Sequence, residues 1–193
     1  MRFGKNRNGV PLPPLDLSEV SVSPLTNDHV VNAFACGRKV IDEFLKRKAL
    51  RCADRCELAV FAATMPQSRI CLGYYALQVG SDTVPESREH KKSYLGAGEY
   101  SAFPAVELKF LGVDETYQGQ GLGKYLLMDA MDRVYDITQN AGLYAMTLQP
   151  LDPEATAFYE RAGFERYAEA TGREPKLMYT IGTMRKMREQ AGR

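Results

Sequence analysis

The stretch AVELKFLGVDETYQGQGLGKYLLMDAMDRVYDI, Ala105–Ile137, changes its period part-way along. AVELKFLGVD, Ala105–Asp114, is a largely apolar run that reads as a strand. The last part sets Leu122, Leu126, Leu127, Ala130, Met131 and Val134 on one face of a helix. Between them, YQGQGLGK, Tyr117–Lys124, carries Gly119, Gly121 and Gly123 at every second position. Glycine spacing of this kind has a physical reading where a strand gives way to a helix. The first amides of a helix point outward without partners and carry partial positive charge, so an anion placed there accepts hydrogen bonds. Glycine admits positive φ and lets the backbone come close to a diphosphate with no Cβ in the way. Lys124 adds a full charge.

Two familiar phosphate loops do not fit. A P-loop requires G-x-x-x-x-G-K-[ST], but the first glycine position is Gln118, and Tyr125 stands where a hydroxyl should meet magnesium. A dinucleotide turn requires G-x-G-x-x-G, and here Lys124 takes the place of the last glycine. What remains is Q-x-x-G-x-G, Gln118–Gly123, closing a strand and opening a helix.

The rest of the chain supplies an ordinary globular frame. Its 193 residues are enough for one domain with a full core, and 45% apolar with 25% charged residues is usual for a soluble protein. A net charge of +1 argues neither for nor against a nucleic-acid partner. Cys36, Cys52, Cys56 and Cys71 form no C-x-x-C pair, and His29 and His90 are the only histidines, so no metal site is expected. The cysteines read as buried free thiols, which suit a reducing cytoplasm. Pro11, Pro13 and Pro14 stand where a signal peptide would have its apolar stretch, so none is expected. No apolar run approaches the ~20 residues of a membrane helix.

Along the chain, residues 1–20 read as an extended arm, 21–185 as a single domain and 186–193 as a charged tail. SPLTNDHVVNAFACG predicts a short helix capped at Thr26, Asn27 or Asp28. RKVIDEFLKRKALRCADR predicts an amphipathic helix with Val40, Ile41, Phe44, Leu45, Ala49 and Cys52 inward. ELAVFAAT and RICLGYYALQVG predict a strand pair turning near Met65–Gln67, and residues 81–104 a long polar connection. LYAMTLQP predicts a strand, and DPEATAFYERAGF a helix with Asp152 as N-cap. FERYAEA and KLMYTIGTM predict two final strands. This order implies an α/β or α+β fold with a mixed sheet, and has too few repeats for a closed parallel barrel.

Q-x-x-G-x-G between a strand and a helix resembles the hallmark of the GNAT superfamily of acetyl-coenzyme-A-dependent N-acetyltransferases. A second hallmark, A-x-x-F/L-Y-x-x-x-G-F, is matched by Ala155, Phe158, Tyr159, Gly163 and Phe164. The resemblance runs from about Leu25 to Met184. It implies a central mixed, mostly antiparallel sheet flanked by helices, with a splayed strand pair holding acetyl-CoA. By the same resemblance, backbone at Leu111, Gly112 and Val113 holds the pantetheine arm. Gln118, Gly119, Gln120, Gly121, Leu122, Gly123 and Lys124 hold the diphosphate, and Tyr159 gives a proton to the departing thiolate. Glu107, eleven residues before Gln118, matches a general base in some members. Where the family commonly has Asn seven residues before the helix tyrosine, this chain has Asp152, which keeps the capping role. No metal is implied.

The N-terminal half is similar to TacT/AtaT-type toxins. FACGRKVIDEFLKRKAL matches their F-x-C-G stretch at Phe34, Cys36, Gly37, Phe44, Leu45 and Ala49, and LGYYALQVGS their G-Y-Y-x-L strand. Val40-Ile41 and the proline-bearing arm depart from that branch. The branch implies acetylation of the α-amine of aminoacyl-tRNA, a ribbon-helix-helix antitoxin and a homodimer. Arg47, Arg51 and Arg55, spaced i, i+4, i+8, are the candidate phosphate track for RNA; the alternative is a solvated helix face. Two other readings stay open: an acetyltransferase for a small amine or protein N-terminus, and a non-catalytic module that binds coenzyme A.

Overall fold

The computed structural model describes residues 14–83, 102–170, 172–190 and 192. The first thirteen residues of the arm and most of the 81–104 connection lie outside the described residues. The elements are β1 (Ser21–Pro24), α1 (Lys39–Phe44), a π-helical turn (Leu45–Ala49), α2 (Leu50–Asp54), β2 (Ala59–Thr64), β3 (Gly73–Thr83) and β4 (Ala102–Val113). A 3-10 turn (Glu115–Tyr117), α3 (Leu122–Ile137), β5 (Ala145–Leu148), α4 (Pro153–Arg161), β6 (Glu165–Ala168), β7 (Lys176–Thr180) and α5 (Ile181–Gln190) follow. Strand order is β1-β2-β3-β4-β5-β7-β6. β1–β2, β2–β3, β5–β7 and β6–β7 pair antiparallel, and β4–β5 pair parallel. This is the mixed, mostly antiparallel sheet expected. The chain forms two compact units, Met1–Gln78 with Lys109–Ala130, and Val79–Leu108 with Met131–Arg193.

In the first unit, β3 is covered on both faces, so its residues Gly73–Leu77 are all buried in place of alternating. The Tyr74 hydroxyl donates to the Ile41 carbonyl at 2.8 Å, while Tyr75 points the other way and donates to Asp129 of α3. Phe34 meets Tyr74 edge-on at 5.5 Å, and Phe44 stacks on Phe110 at 3.8 Å. These rings form the core under α1.

The first helix departs from its expected phase. The π turn shifts the register after Phe44. Phe44, Leu45 and Ala49 are buried as expected, but Val40 is 52% exposed. SPLTNDHVVNAFACG forms no helix. The Leu25 amide bonds to Val60, the Val30 amide to Arg69 and the Cys71 amide to Val30, so tertiary pairing takes the backbone that a helix would need.

In the second unit, Phe103, Ala105, Ala145, Tyr167, Ala168 and Met178 form one core. All four residues of β5 are buried. Asp152 caps α4 as expected, accepting from the Ala155 amide at 2.9 Å. The last strand ends at Thr180, earlier than its sequence suggested. The Thr180 hydroxyl accepts from the Thr183 amide at 3.2 Å and starts α5. Residues 186–190 of the expected tail therefore lie in a helix. Among the described residues no helix is long and apolar enough to cross a membrane.

Candidate active site

The glycine loop belongs to the first unit. Gly119 and Gly121 adopt φ of +72° and +89°, which L side chains rarely take. Among the described residues, no backbone amide from Gly119 to Lys124 donates to another group. The first bond of the helix is Tyr125 N–H to the Gly121 carbonyl, at 3.0 Å. A consecutive row of amides is thus left open at the mouth of α3, where the macrodipole favours negative charge. Leu122 is fully buried, so only its backbone is available there, while Lys124 is exposed.

The two glutamines of the motif serve the loop itself. Gln118 donates its side-chain amide to the Val113 carbonyl at 2.9 Å and the Cys36 carbonyl at 3.0 Å. Gln120 accepts from the Leu15 amide at 2.8 Å. Gly112 is required by packing. A Cβ there would lie 2.7 Å from Ile41 Cγ2 and 3.3 Å from both Phe34 and Tyr74.

A buried carboxylate, Asp114, holds the loop's approach and escaped notice in the sequence. Its Oδ2 accepts from the Ala35 amide at 2.9 Å, and its Oδ1 from the Thr116 amide at 3.0 Å. The Glu115 amide returns a bond to the Ala35 carbonyl at 2.8 Å. The F-A-C-G segment is therefore clamped to the end of β4. The only sequence signal was the T at position 116, two residues after an Asp, which is an Asx-turn spacing. Burial pushes the Cys36 thiol up to about 12, with help from Asp42, and burial likewise lifts Cys71 to about 12. Both are inert thiols. Cys56, expected to be buried, is exposed.

Tyr159 and Glu107 belong to the second unit. The Tyr159 ring is buried, edge-on to Phe158 at 5.1 Å and Phe164 at 5.8 Å. Among the described residues its hydroxyl has no hydrogen-bond partner. Burial raises its pKa and keeps it a neutral phenol. Glu107 is half-buried on β4. Its register partner on β5 is Thr147, and there the β4–β5 pairing ends, though β4 runs on to Val113.

Beside Glu107 lies a network not foreseen from the sequence. The Tyr167 hydroxyl donates to Asp82 Oδ2 at 2.5 Å, and Lys176 Nζ sits 3.1 and 3.0 Å from the two Asp82 oxygens. Burial alone would raise the Asp82 carboxyl. The bonds from Tyr167 and Lys176 outweigh it and hold the group below its ordinary value. Burial raises Tyr167, and the charges of Asp82 and Glu107 add to the shift.

Arg47, Arg51 and Arg55 are all exposed, but they do not form one regular helical row. Arg47 sits in the π turn, and Arg55 follows the end of α2, its guanidinium 3.1 Å from Glu57.

The model of the acetyltransferase (GNAT) domain matches residues 73–166. A tRNA-acetylating toxin of Mycobacterium tuberculosis is 31% identical over 139 residues, covering 70% of this chain and 78% of that protein. The chain belongs to the GNAT acetyltransferases. A probable toxin TacT of Sinorhizobium fredii is 29% identical over 153 residues, 75% of this chain and 83% of that protein. In fold, the GNAT chain matches a crystal structure of a KacT mutant with TM-score 0.78 at 24% identity, over 88% of this chain and 99% of that one. It matches AtaT complexed with acetyl-methionyl-tRNAfMet with TM-score 0.77 at 24% identity, over 87% and 98%. The GNAT match spans the end of β4, the glycine loop, Glu107 and Tyr159, and begins after the arm and α1. The chain is accordingly an N-acetyltransferase.

Proposed function

We propose that this GNAT enzyme uses acetyl-CoA as cosubstrate and transfers the acetyl group to the α-amine of an aminoacyl-tRNA. The observation that carries the coenzyme half is the row of open amides from Gly119 to Lys124, with two glycines at positive φ and a lysine at the helix mouth. These donors fit a diphosphate and have no other described partner. The strand backbone at Leu111–Val113, past the end of the β4–β5 pairing, is assigned to the pantetheine arm.

Bound there, acetyl-CoA supplies an acyl carbon activated by its thioester. The acceptor nitrogen forms the C–N bond as the C–S bond breaks, and the nitrogen's proton leaves to Glu107 or water. Tyr159 presents a protonated hydroxyl for the departing sulfur. Because burial raises this phenol above ~10 while a thiol sits near ~8.5, complete transfer from it is uphill. Donating a hydrogen bond that strengthens as negative charge builds on sulfur is the larger part of its role.

An α-amine near ~7.7–8 already has a sizeable neutral fraction at physiological pH, whereas a lysine near ~10.4 needs a strong base. Neither motif contains a histidine, which favours the α-amine. The two relatives carry tRNA acetylation or toxicity in their names, and a fold neighbour was solved with an acetylated aminoacyl-tRNA. They support the same acceptor here, and with it a toxin role. Other fold neighbours are complexes with an antitoxin, AtaR, or bear DNA, as in KacTA, which supports an antitoxin partner, of ribbon-helix-helix type by the family resemblance. A homodimer is proposed on that resemblance alone.

The test is transfer of labelled acetyl from acetyl-CoA to total charged tRNA, run in parallel on tRNA deacylated beforehand. Label confined to the charged sample supports the proposal. Label on neither sample, with label on peptide N-termini or small amines, would falsify the tRNA acceptor while leaving acetyl transfer intact.

A further inference from the structure

The described end of the N-terminal arm does not hang free. The Leu15 amide donates to the Gln120 side-chain oxygen at 2.8 Å across 105 residues of sequence. A Cβ added to Gly121 would meet one described atom within 4 Å, Leu17 Cδ1 at 3.3 Å. The Tyr125 hydroxyl donates to the Val20 carbonyl at 3.1 Å, and Val20 is buried. Between the two ends of this contact, the Asp16 side chain accepts from the amide and hydroxyl of Ser18, at 2.9 and 2.6 Å, and folds the arm into a turn.

The loop that the arm touches has little else to hold it. Its amides from Gly119 to Lys124 make no bond to the described residues, and a Cβ at Gly119 would meet nothing within 4 Å. Two glycines give it the broadest backbone freedom available. Its order rests on Gln118 at one end, the helix at the other, and the arm in the middle. Gln120 is held at both ends of its amide, by Leu15 and by the Thr116 carbonyl at 3.4 Å. Its side-chain oxygen is therefore kept off the open amides that an anion would use.

We propose that Leu15–Val20 is a strap that holds the glycine loop in its anion-receiving shape, with Leu15 and Leu17 as positioning residues for the coenzyme. The proposal rests on the coenzyme reading of the loop and goes beyond it. The arm lies outside the stretch matched by the acetyltransferase model, which begins at residue 73. A loop already ordered loses less conformational freedom on binding, so the strap lowers the dissociation constant for coenzyme without touching the reacting atoms.

Two substitutions and one truncation test it in the full-length enzyme. Leu15→Pro removes the donor to Gln120 by deleting an N–H. Leu17→Ala removes the packing on Gly121, and a chain starting at Ser18 removes both. Amide exchange over residues 117–125 is measured without ligand, alongside the KM for acetyl-CoA, kcat, and calorimetric binding of coenzyme A. The expected result is faster exchange in that segment, a KM for acetyl-CoA raised roughly three- to tenfold, and an unchanged kcat. Unchanged exchange overturns the strap. Faster exchange with an unchanged or lower KM overturns its part in coenzyme binding. If the unmodified enzyme binds no coenzyme A, the coenzyme reading falls, and the exchange measurement still decides whether the arm orders the loop.

Discussion

The glycine loop of the first unit and the Asp82–Tyr167–Lys176 network of the second treat their polar groups in opposite ways. The loop leaves a row of amides without partners. The network closes a tyrosine, a carboxylate and an ammonium on one another within about hydrogen-bond length. Open donors cost stability when they are ordered and serve a ligand that is still to come. Closed ones hold strands together and give a ligand nothing to grip. The difference separates residues that should control activity from residues that should control folding.

The sharpest way to break this division is Tyr159→Phe. Its hydroxyl, the proposed donor to the departing sulfur, has no partner among the described residues, so kcat should fall by about 10²-fold with little change in melting temperature. Steady-state kinetics with thermal unfolding checks both halves, and a large fall in melting temperature with normal kcat would place Tyr159 on the closed side. Asp114→Ala is the opposite case. It strips partners from the Ala35 and Thr116 amides and should cost about 2–4 kcal/mol in denaturant unfolding. Gly119→Val adds a side chain where there is space but the φ of +72° opposes it. Coenzyme A binding should weaken by roughly 30-fold or more while stability falls by only about 1–2 kcal/mol.

The network makes a prediction about pH. The folded Asp82 carboxyl lies below its ordinary value, so its contribution is complete above the unfolded value near ~3.9. It is lost as pH falls through the folded value. The stability gap between the parent and Asp82→Asn should be level from about pH 7 to pH 5 and shrink below about pH 4. Urea titrations across that range measure it, and a gap that widens in acid would contradict the assigned direction. The smallest effect is expected for Arg51→Ala, which should weaken tRNA binding about equally across sequences and lower the salt slope by about one. An unchanged slope would return Arg51 to the solvated-face reading.

What was legible in the sequence follows the same divide. Open donors at a strand–helix junction must be written locally, because only glycine readily takes the positive φ found there, and Gly119 and Gly121 announced them. The cap at Asp152 was readable for the same reason. The Asp82–Tyr167 bond joins residues 85 apart, and the Ala35–Asp114 bond residues 79 apart. No period or motif records such pairs, so the network and the clamp were not visible. The missed turn after β1 and the early start of α5 are lesser cases. Backbone pairing at Val30 overrode a plausible helix, and the Thr180 hydroxyl ended a strand that Ile181 and Thr183 favoured continuing.

The bond from Leu15 to Gln120 also sets a clock. Its two ends are 105 residues apart, and a ribosome adding about 5–20 residues per second needs on the order of 5–20 s to travel between them. The arm and the F-A-C-G segment leave the ribosome first, yet the surfaces they fasten do not exist until α3 is being made. Any ordering of the loop by the arm is therefore a late event in the synthesis of the chain.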